Sequence, residues 1–588
     1  MSSYTTDIHT SLSSCLLCRQ QASPGSLILD LSGKHLIVPT GCIYPCPRCS
    51  KSPNPSVWFH LDCYDILKDS YTTGWWPTLK DLQRFAAAVR PLYKPENKGN
   101  INVASTQEGL LCRSTRNILK DGFTQELFRR FPTEIQDKIL EFLGPCWYLI
   151  VLGETRRLIE QMRNDYLFQS QQLNLTKGLY IGRTKYQGNS YISTISNEPL
   201  RVPSTYDQQY IKSPTYTKKV ILSFDHVGIR RLQFLEQGSK PLPDGAPWYE
   251  IRETTDCHFN ASISWSGLFV RRIKFFAEGW DKTLRIWSSP EVPKLNPWNL
   301  HIVWGHSFLN HVKLDANIHG LIVCCSRSVA IGIYGFTGIS KAYKALVKLM
   351  NQRAYGDQPY WFYYPINKGE FITAAWIHKW KRSRSSASPI SLAIRTSLGR
   401  DIFYEYRPLV KNGDGAISGI VHEGVDLKYT HGIVEIGVTC NPGCQVETPE
   451  QEPQFGRYEC PPTRYTRPMP TWYLTKAPVE GLYKVRVCRD LEKTHRPCIG
   501  LLLYYEEGRV ESLGQVHWDL DLTQDVLAPI YIGKGSIDGN DYIKDVQRDA
   551  ACTRLESEVD IWQKIPENGT IVWWFSYLGD KVTMYTDP

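Results

Sequence analysis

The sequence predicts a multidomain α+β chain: a small metal-stabilised N-terminal module, a helical hairpin and a large mainly-β C-terminal region. Three observations lead there. Six of the 17 cysteines fall within the first 63 residues. Apolar residues recur at helical spacing from Phe123 to about Gln172. From about Gly178 onward they recur in short alternating runs bounded by Gly, Asp, Asn and Pro. A chain of 588 residues is long enough for several domain cores. With 42% hydrophobic and 22% charged residues, wholesale disorder is excluded.

The N-terminal module, residues 1–95, is read from ligand spacing. Cys15 and Cys18 form CLLC, Cys46 and Cys49 form CPRC, and His60 and Cys63 sit in WFHLDC. A two-residue spacing lets one tight turn point two ligands at one ion, and tetrahedral Zn²⁺ takes four such ligands. Six ligand-type residues exceed one site and fall short of two; Cys42 or His35 could add another. The preferred site is Cys15, Cys18, His60 and Cys63, with Cys46 and Cys49 as the alternative second pair. The expected cofactor is structural zinc, because no further acid or open position suggests catalysis. The WFHxxC unit resembles the histidine knuckle of LIM- and PHD-type fingers, so the module is zinc-finger-like. The full ligand run of those families is absent, and their functions do not carry over. A helix is expected over Thr78–Val89, and a polar linker over 96–121.

The helical segment, 122–172, centres on FPTEIQDKILEFLG. Pro132 suits a first helical position, Glu134 the positive end of the helix dipole, and Gly144 a C-terminal cap. Ile135, Ile139, Phe142 and Leu143 form an apolar stripe. A second amphipathic stretch, Trp147 to Met162, follows. The segment resembles an F-box, with Phe131-Pro132, Glu134-Ile135, Ile139-Leu140 and Leu143 in the places of that motif. Phe131 replaces its usual Leu, and the motif's later Asp-Leu pair and Cys-Arg-x-Trp ending are missing. The succession of cysteine cluster, F-box-like helix and β-rich region also resembles a set of fungal proteins. The resemblance implies that Pro132, Ile135, Ile139 and Leu143 dock in a groove of a Skp-family adaptor. The chain would then be a non-enzymatic, substrate-recruiting adaptor of a cullin-type ubiquitin ligase, with an unknown protein partner on the β-region. The same stripe could instead pack on the chain's own β-region.

That β-region, 178–586, is read as one or two domains of β-prism or sandwich type. RRLQFLEQG at 230–238 is echoed by RRIKFFAEG at 271–279, which suits a strand leading into a turn. Helical spacing interrupts it chiefly at Ile339–Met350. YYPINKGEFITAAWIH, ISLAIRTSLGR and HGIVEIGVTC resemble strands of the jacalin-type β-prism. The sugar-gripping Asp of that family is replaced here by Val434, so lectin activity is not expected. The alternative function is a β-prism-like carbohydrate- or protein-binding molecule with purely structural helices. Aromatic clusters at 74–76, 359–365 and 570–577 are read chiefly as core.

Catalytic signatures are missing from the sequence. It holds no phosphate-cradling loop with Lys, no His-Glu-x-x-His, no Gly-x-Ser-x-Gly and no Ca²⁺ loop. Asp519 and Asp521 alternate as on one strand face, with no second catalytic group beside them. A net charge of +9 on 588 residues calls for neither nucleic acid nor an anionic membrane. Without a signal-peptide pattern or an apolar run of spanning length, the expected location is cytoplasmic or nuclear.

Overall fold

The computed structural model describes residues 15–20, 27–30, 35–37, 57–69, 71, 76–92, 131, 132, 135 and 147–164. It further describes 172–586 apart from 176, 200–207, 213–216, 218, 254–259, 277–283, 293–294, 298–305, 327–328, 355–357, 380–389, 404–409, 412–416, 424–432, 434–435, 441–457, 459–460, 462–471, 538 and 549–560. Strands dominate the described residues, and four helices accompany them. The chain divides into two compact units, one of Met1–Glu96 and Asn100–Glu291, the other chiefly of Val292–Pro588.

The first unit begins with a small antiparallel sheet in which Leu27–Asp30 lies between His35–Ile37 and Trp58–His60. Helix α1 (Leu61–Asp69) follows directly, then α2 (Leu79–Val89) and α3 (Trp147–Asn164). The sequence starts α2 one residue after Thr78. The Thr78 hydroxyl accepts from Asp81 N at 3.3 Å, and the Asp81 carboxylate accepts from Thr78 N at 2.9 Å. That reciprocal cap satisfies two otherwise orphaned donors. Leu82, Phe85, Ala86, Ala88 and Val89 then fall on one buried face.

The rest of this unit is three hairpins whose first strands begin at Leu179, Lys219 and Asn260, steps of forty and forty-one residues. Each first strand also pairs on its other edge with a third strand. For Leu179–Tyr186 that partner is Gln208–Ile211, and for Lys219–Phe224 it is Trp248–Glu253. For Asn260–Trp265 it is Gln172–Asn174, so the start of the region closes the arrangement. Alternation turns one face of every hairpin inward. Leu179, Ile181 and Ile192, then Val220, Leu222 and Leu232, then Ala261, Ile263 and Ile273 share one core. The 41-residue echo in the sequence falls on the second strands Ile229–Leu235 and Val270–Phe276.

In the second unit, Gly320–Ser326 runs between Val329–Phe336 and Tyr360–Pro365. Helix α4 (Lys341–Arg353) lies on this sheet, with Tyr343 and Met350 buried against Ile322, Cys324 and Trp361. Gly332 lets Met350 pack closely there, since a Cβ on it would stand 2.5 Å from Met350 Sδ and the thioether would have to move. Further antiparallel strands include Ile372–Lys379 with Ile390–Thr396, and Thr570–Ser576 between Tyr473–Pro478 and Gly579–Tyr585. One core runs through Leu321, Phe362, Ile372, Ile420, Leu501, Ile532 and Trp573. Most of the sequence's aromatic clusters are core: Trp361, Phe362, Tyr363, Trp573 and Trp574 are buried, whereas Trp76 and Tyr577 are exposed. Asp519 and Asp521 do not share a strand, because the strand starts at Asp521. Asp519 precedes it and accepts from Tyr343 OH at 2.9 Å.

The second hairpin turn hangs on one buried carboxylate. Asp225 accepts from Tyr191 OH (2.7 Å), Val227 N (2.7 Å) and Arg230 Nε (2.8 Å). Asp225→Ala would strand a mostly buried guanidinium, and the expected loss is about 3–5 kcal/mol in urea unfolding. Tyr191→Phe removes one of several donors to the carboxylate and is expected to cost about 1.5–3 kcal/mol. Equal effects of the two substitutions would contradict this ordering.

Candidate metal centre

Cys15, Cys18, His60 and Cys63 converge on one point. Their ligand atoms all lie within 4.8 Å of one another. Cys18 Sγ stands 3.4 Å and Cys63 Sγ 3.5 Å from His60 Nδ1. A tetrahedral ion with metal–sulfur bonds of about 2.3 Å has sulfur–sulfur edges of about 3.8 Å. The four donors therefore need only small adjustments to hold a metal ion, and three thiols with one imidazole nitrogen suit a borderline-soft one.

Local structure supplies each ligand. Residues 15–18 make a tight turn in which Arg19 N donates to Cys15 O, and Cys15 N to Gln20 O, both at 2.9 Å. Arg19 leaves that turn in the left-handed region, φ 62°. His60 ends the strand Trp58–His60, and Cys63 sits in the first turn of α1. Backbone amides of Cys18 (3.5 Å) and His60 (3.4 Å) point at Cys15 Sγ. The Trp58 ring stands edge-on to His60 at 5.3 Å. Hydrogen bonds from Cys15 and Cys63 hold the Cys18 thiol far below its ordinary range, whereas burial pushes Cys15 up to about 11. Three sulfurs around one buried point share their negative charge poorly without a cation, which is the electrostatic case for an ion there.

The centre is built into the end of the three-hairpin core. Cys15, Leu16, Leu17, Cys18, Phe59 and Cys63 share one apolar cluster with Leu152, Leu158 and Ile159 of α3. Tyr186, Tyr191, Val227, Leu268 and Phe269, from all three hairpin turns, complete it. Polar bonds fix the junction. Arg19 Nη2 meets Glu154 Oε2 at 2.7 Å, and its guanidinium carbon lies 4.5 Å from the centre of the Tyr186 ring. The other Glu154 oxygen accepts from Gln187 N at 2.9 Å. Thr155 Oγ1 donates to Leu17 O at 3.2 Å, and Arg271 Nη1 donates to Ala88 O at 3.2 Å at the end of α2.

Of the sequence-derived site residues, the structure brings Cys15, Cys18, His60 and Cys63 together. Cys46, Cys49 and Cys42 lie outside the described residues, as do Ile139, Leu143 and Val434. His35 starts a short strand. Pro132 is exposed, and Ile135 is exposed with its amide 3.0 Å from Pro132 O. The spacing pattern did not reveal Arg19 and Glu154, which meet across 135 residues of chain.

No family model matches the chain, and no curated protein does. Among solved structures it is similar to a Calsepa lectin, described in complex with bisected glycan, at 10% identity. That match covers 26% of this chain and 99% of the lectin, with a TM-score of 0.16. A lamprey immune protein matches at 8% identity over 47% of this chain and 93% of its own, TM-score 0.14. The F-box likeness accordingly rests on the motif residues themselves. Among the described residues no helix is long and apolar enough to cross a membrane.

The junction gives a direct test. Glu154→Leu would leave Arg19 charged, buried and unpaired, with an expected loss of about 3–5 kcal/mol in chemical denaturation. Adding Arg19→Met should recover a substantial part of it, and strictly additive losses would show that the two groups do not act as a pair.

Proposed function

We propose that the chain is a non-enzymatic adaptor: a zinc-braced β scaffold whose F-box-like segment docks on a Skp-family protein of a cullin-type ubiquitin ligase. The observation that carries it is outward display. Phe131 and Ile135 are 40% and 41% exposed, while α3, the next described helix, is tied inward by Glu154, Thr155 and Arg157. Large apolar side chains offered to solvent suit a partner's groove. Zinc fits the centre by donor set and spacing, and thiolate ligands suit a reducing compartment such as the cytoplasm or nucleus. The three-hairpin region suits a β-prism better than a sandwich, because three sheets rather than two supply one core. On this reading the β-region supplies the surface that captures a protein partner.

Two measurements test the proposal. The full-length protein, purified reduced, should carry about one tightly held zinc, and a Cys15→Ser, Cys18→Ser variant should lose both the metal and stability in the first unit. Metal analysis without zinc would remove that part. Co-purification with a Skp-family adaptor should succeed for the intact chain and fail for Ile135→Asp with Ile139→Asp, whose buried carboxylates would lack partners. Unchanged melting of the variant supports an exposed docking stripe. A marked fall in melting temperature, with no binding by the intact chain, supports internal packing of the stripe.

A further inference from the structure

Residues 236–247 join the strand Ile229–Leu235 to Trp248–Glu253, and Lys219–Phe224 lies between those two strands in the sheet. The connection therefore crosses the outer face of the second hairpin. Its middle reads Ser-Lys-Pro-Leu-Pro-Asp, 239–244, between Gly238 and Gly245, both in the left-handed region at φ 84° and 69°. Pro241 and Pro243 fix their own φ at about −65° and push Lys240 and Leu242, which precede them, out of the helical region. Four successive residues are thus biased to polyproline II, an extended helix without internal hydrogen bonds.

The segment is pinned to every strand beneath it. The Gln233 side-chain amide donates to Leu242 O at 2.8 Å and accepts from Leu242 N at 2.9 Å. Asp244 accepts from the Ser223 hydroxyl, from Tyr249 OH at 3.0 Å and from Ala246 N at 3.1 Å. Arg230 Nη1 donates to Gly245 O at 3.2 Å. Ala246 is buried with Ile221 and Tyr249, so the apolar part of this sheet face is already covered. Leu242 takes no part in that cluster. At 63% it is the most exposed of the large apolar side chains among the described residues, and Lys240 and Pro243 near it are exposed too. A loop that only roofed the sheet would turn its leucine inward, whereas this one is held by both backbone atoms of Leu242 with the side chain outward.

We propose that Lys240–Pro243 is a docking segment for a partner protein whose aromatic-lined groove receives a polyproline II strand. The proline rings and the Leu242 side chain offer apolar surface to such aromatic faces, and Lys240 calls for a carboxylate at the groove's rim. Pins and prolines together remove much of the ordering cost that a flexible segment meets on binding. The segment thereby locates the partner-capturing surface of the β-region, and in that respect rests on the function proposed above. Skp-family docking takes no part in it, so each docking event fails separately under test.

The test is binding of the full-length chain, with no Skp-family protein present, to a panel of purified SH3 and WW domains, which read polyproline II strands. At least one domain should bind the intact chain. Leu242→Ser and Pro243→Ala should each weaken that binding about tenfold or more and leave melting unchanged. Gln233→Leu, which unpins Leu242 without altering the docking residues, should weaken it about threefold to tenfold. The free peptide Ser239–Pro247 lacks the pins altogether and should compete only at higher concentration than the intact chain. No binding by any domain of the panel would overturn the proposal, as would a domain that binds the intact chain and Leu242→Ser equally well. Equal affinities of peptide and intact chain would overturn the role assigned to the pins.

Discussion

Arg19 leaves the CLLC turn with a left-handed backbone, and its guanidinium passes between the Tyr186 ring and the Glu154 carboxylate. That position links three elements far apart in sequence: the ligand turn, helix α3 and the first hairpin. Glu154 completes the link by accepting from Gln187 N in the hairpin turn. Both charged side chains are largely withdrawn from water, with exposures of 13% and 5%. Such a pair adds little to stability against an apolar replacement, but half of it alone is costly. The pair ties α3 to both the ligand turn and the first hairpin.

The same constraint explains why the Cys/His segment is small. Leu16, Leu17, Phe59, Leu82 and Phe85 cannot bury themselves against each other alone, and they complete their core with α3 and with Leu268 and Phe269. A metal ion supplies local folding energy to a short segment with little apolar surface. It does not supply the missing wall. The hairpin turns do, and in return their aromatic residues Tyr186, Tyr191 and Phe269 are covered, with ring centres 5.1–6.4 Å apart. The ligand module and the three-hairpin core thus behave as one cooperative body rather than as a finger on a string.

How much of this the sequence shows depends on the range of the interaction. Local signals were legible: the ligand spacing, the helix over Thr78–Val89, and the short apolar strands beyond Gly178. The 41-residue echo exposed two of the three hairpins, because Arg230-Arg231 and Arg271-Arg272 stand at matching places. The first hairpin escaped notice, since Ser190 and Tyr191 occupy those places while Ile192 keeps the inward position of Leu232 and Ile273. Arg230 is held by Asp225 and Arg271 by carbonyls of Ala88 and Val227, so the repeated arginines do separate jobs at each turn. Repetition of the core positions comes from the fold, and divergence at the turns comes from what covers each one. Arg19 and Glu154 were invisible for a plainer reason: no periodicity or spacing rule couples single residues 135 positions apart.

Helix α3 is held from more than one side. A helix that floated freely would lose conformational entropy on binding, which weakens association. Here α3 is fixed on one side by Glu154 and Thr155 and on the other by Arg157, which donates to Thr184 Oγ1 at 3.1 Å and to Lys185 O at 2.7 Å. Ile135, in the described part of the preceding stretch, is exposed. Removing Arg19 or Glu154 would take away one of these ties and leave those of Thr155 and Arg157 in place.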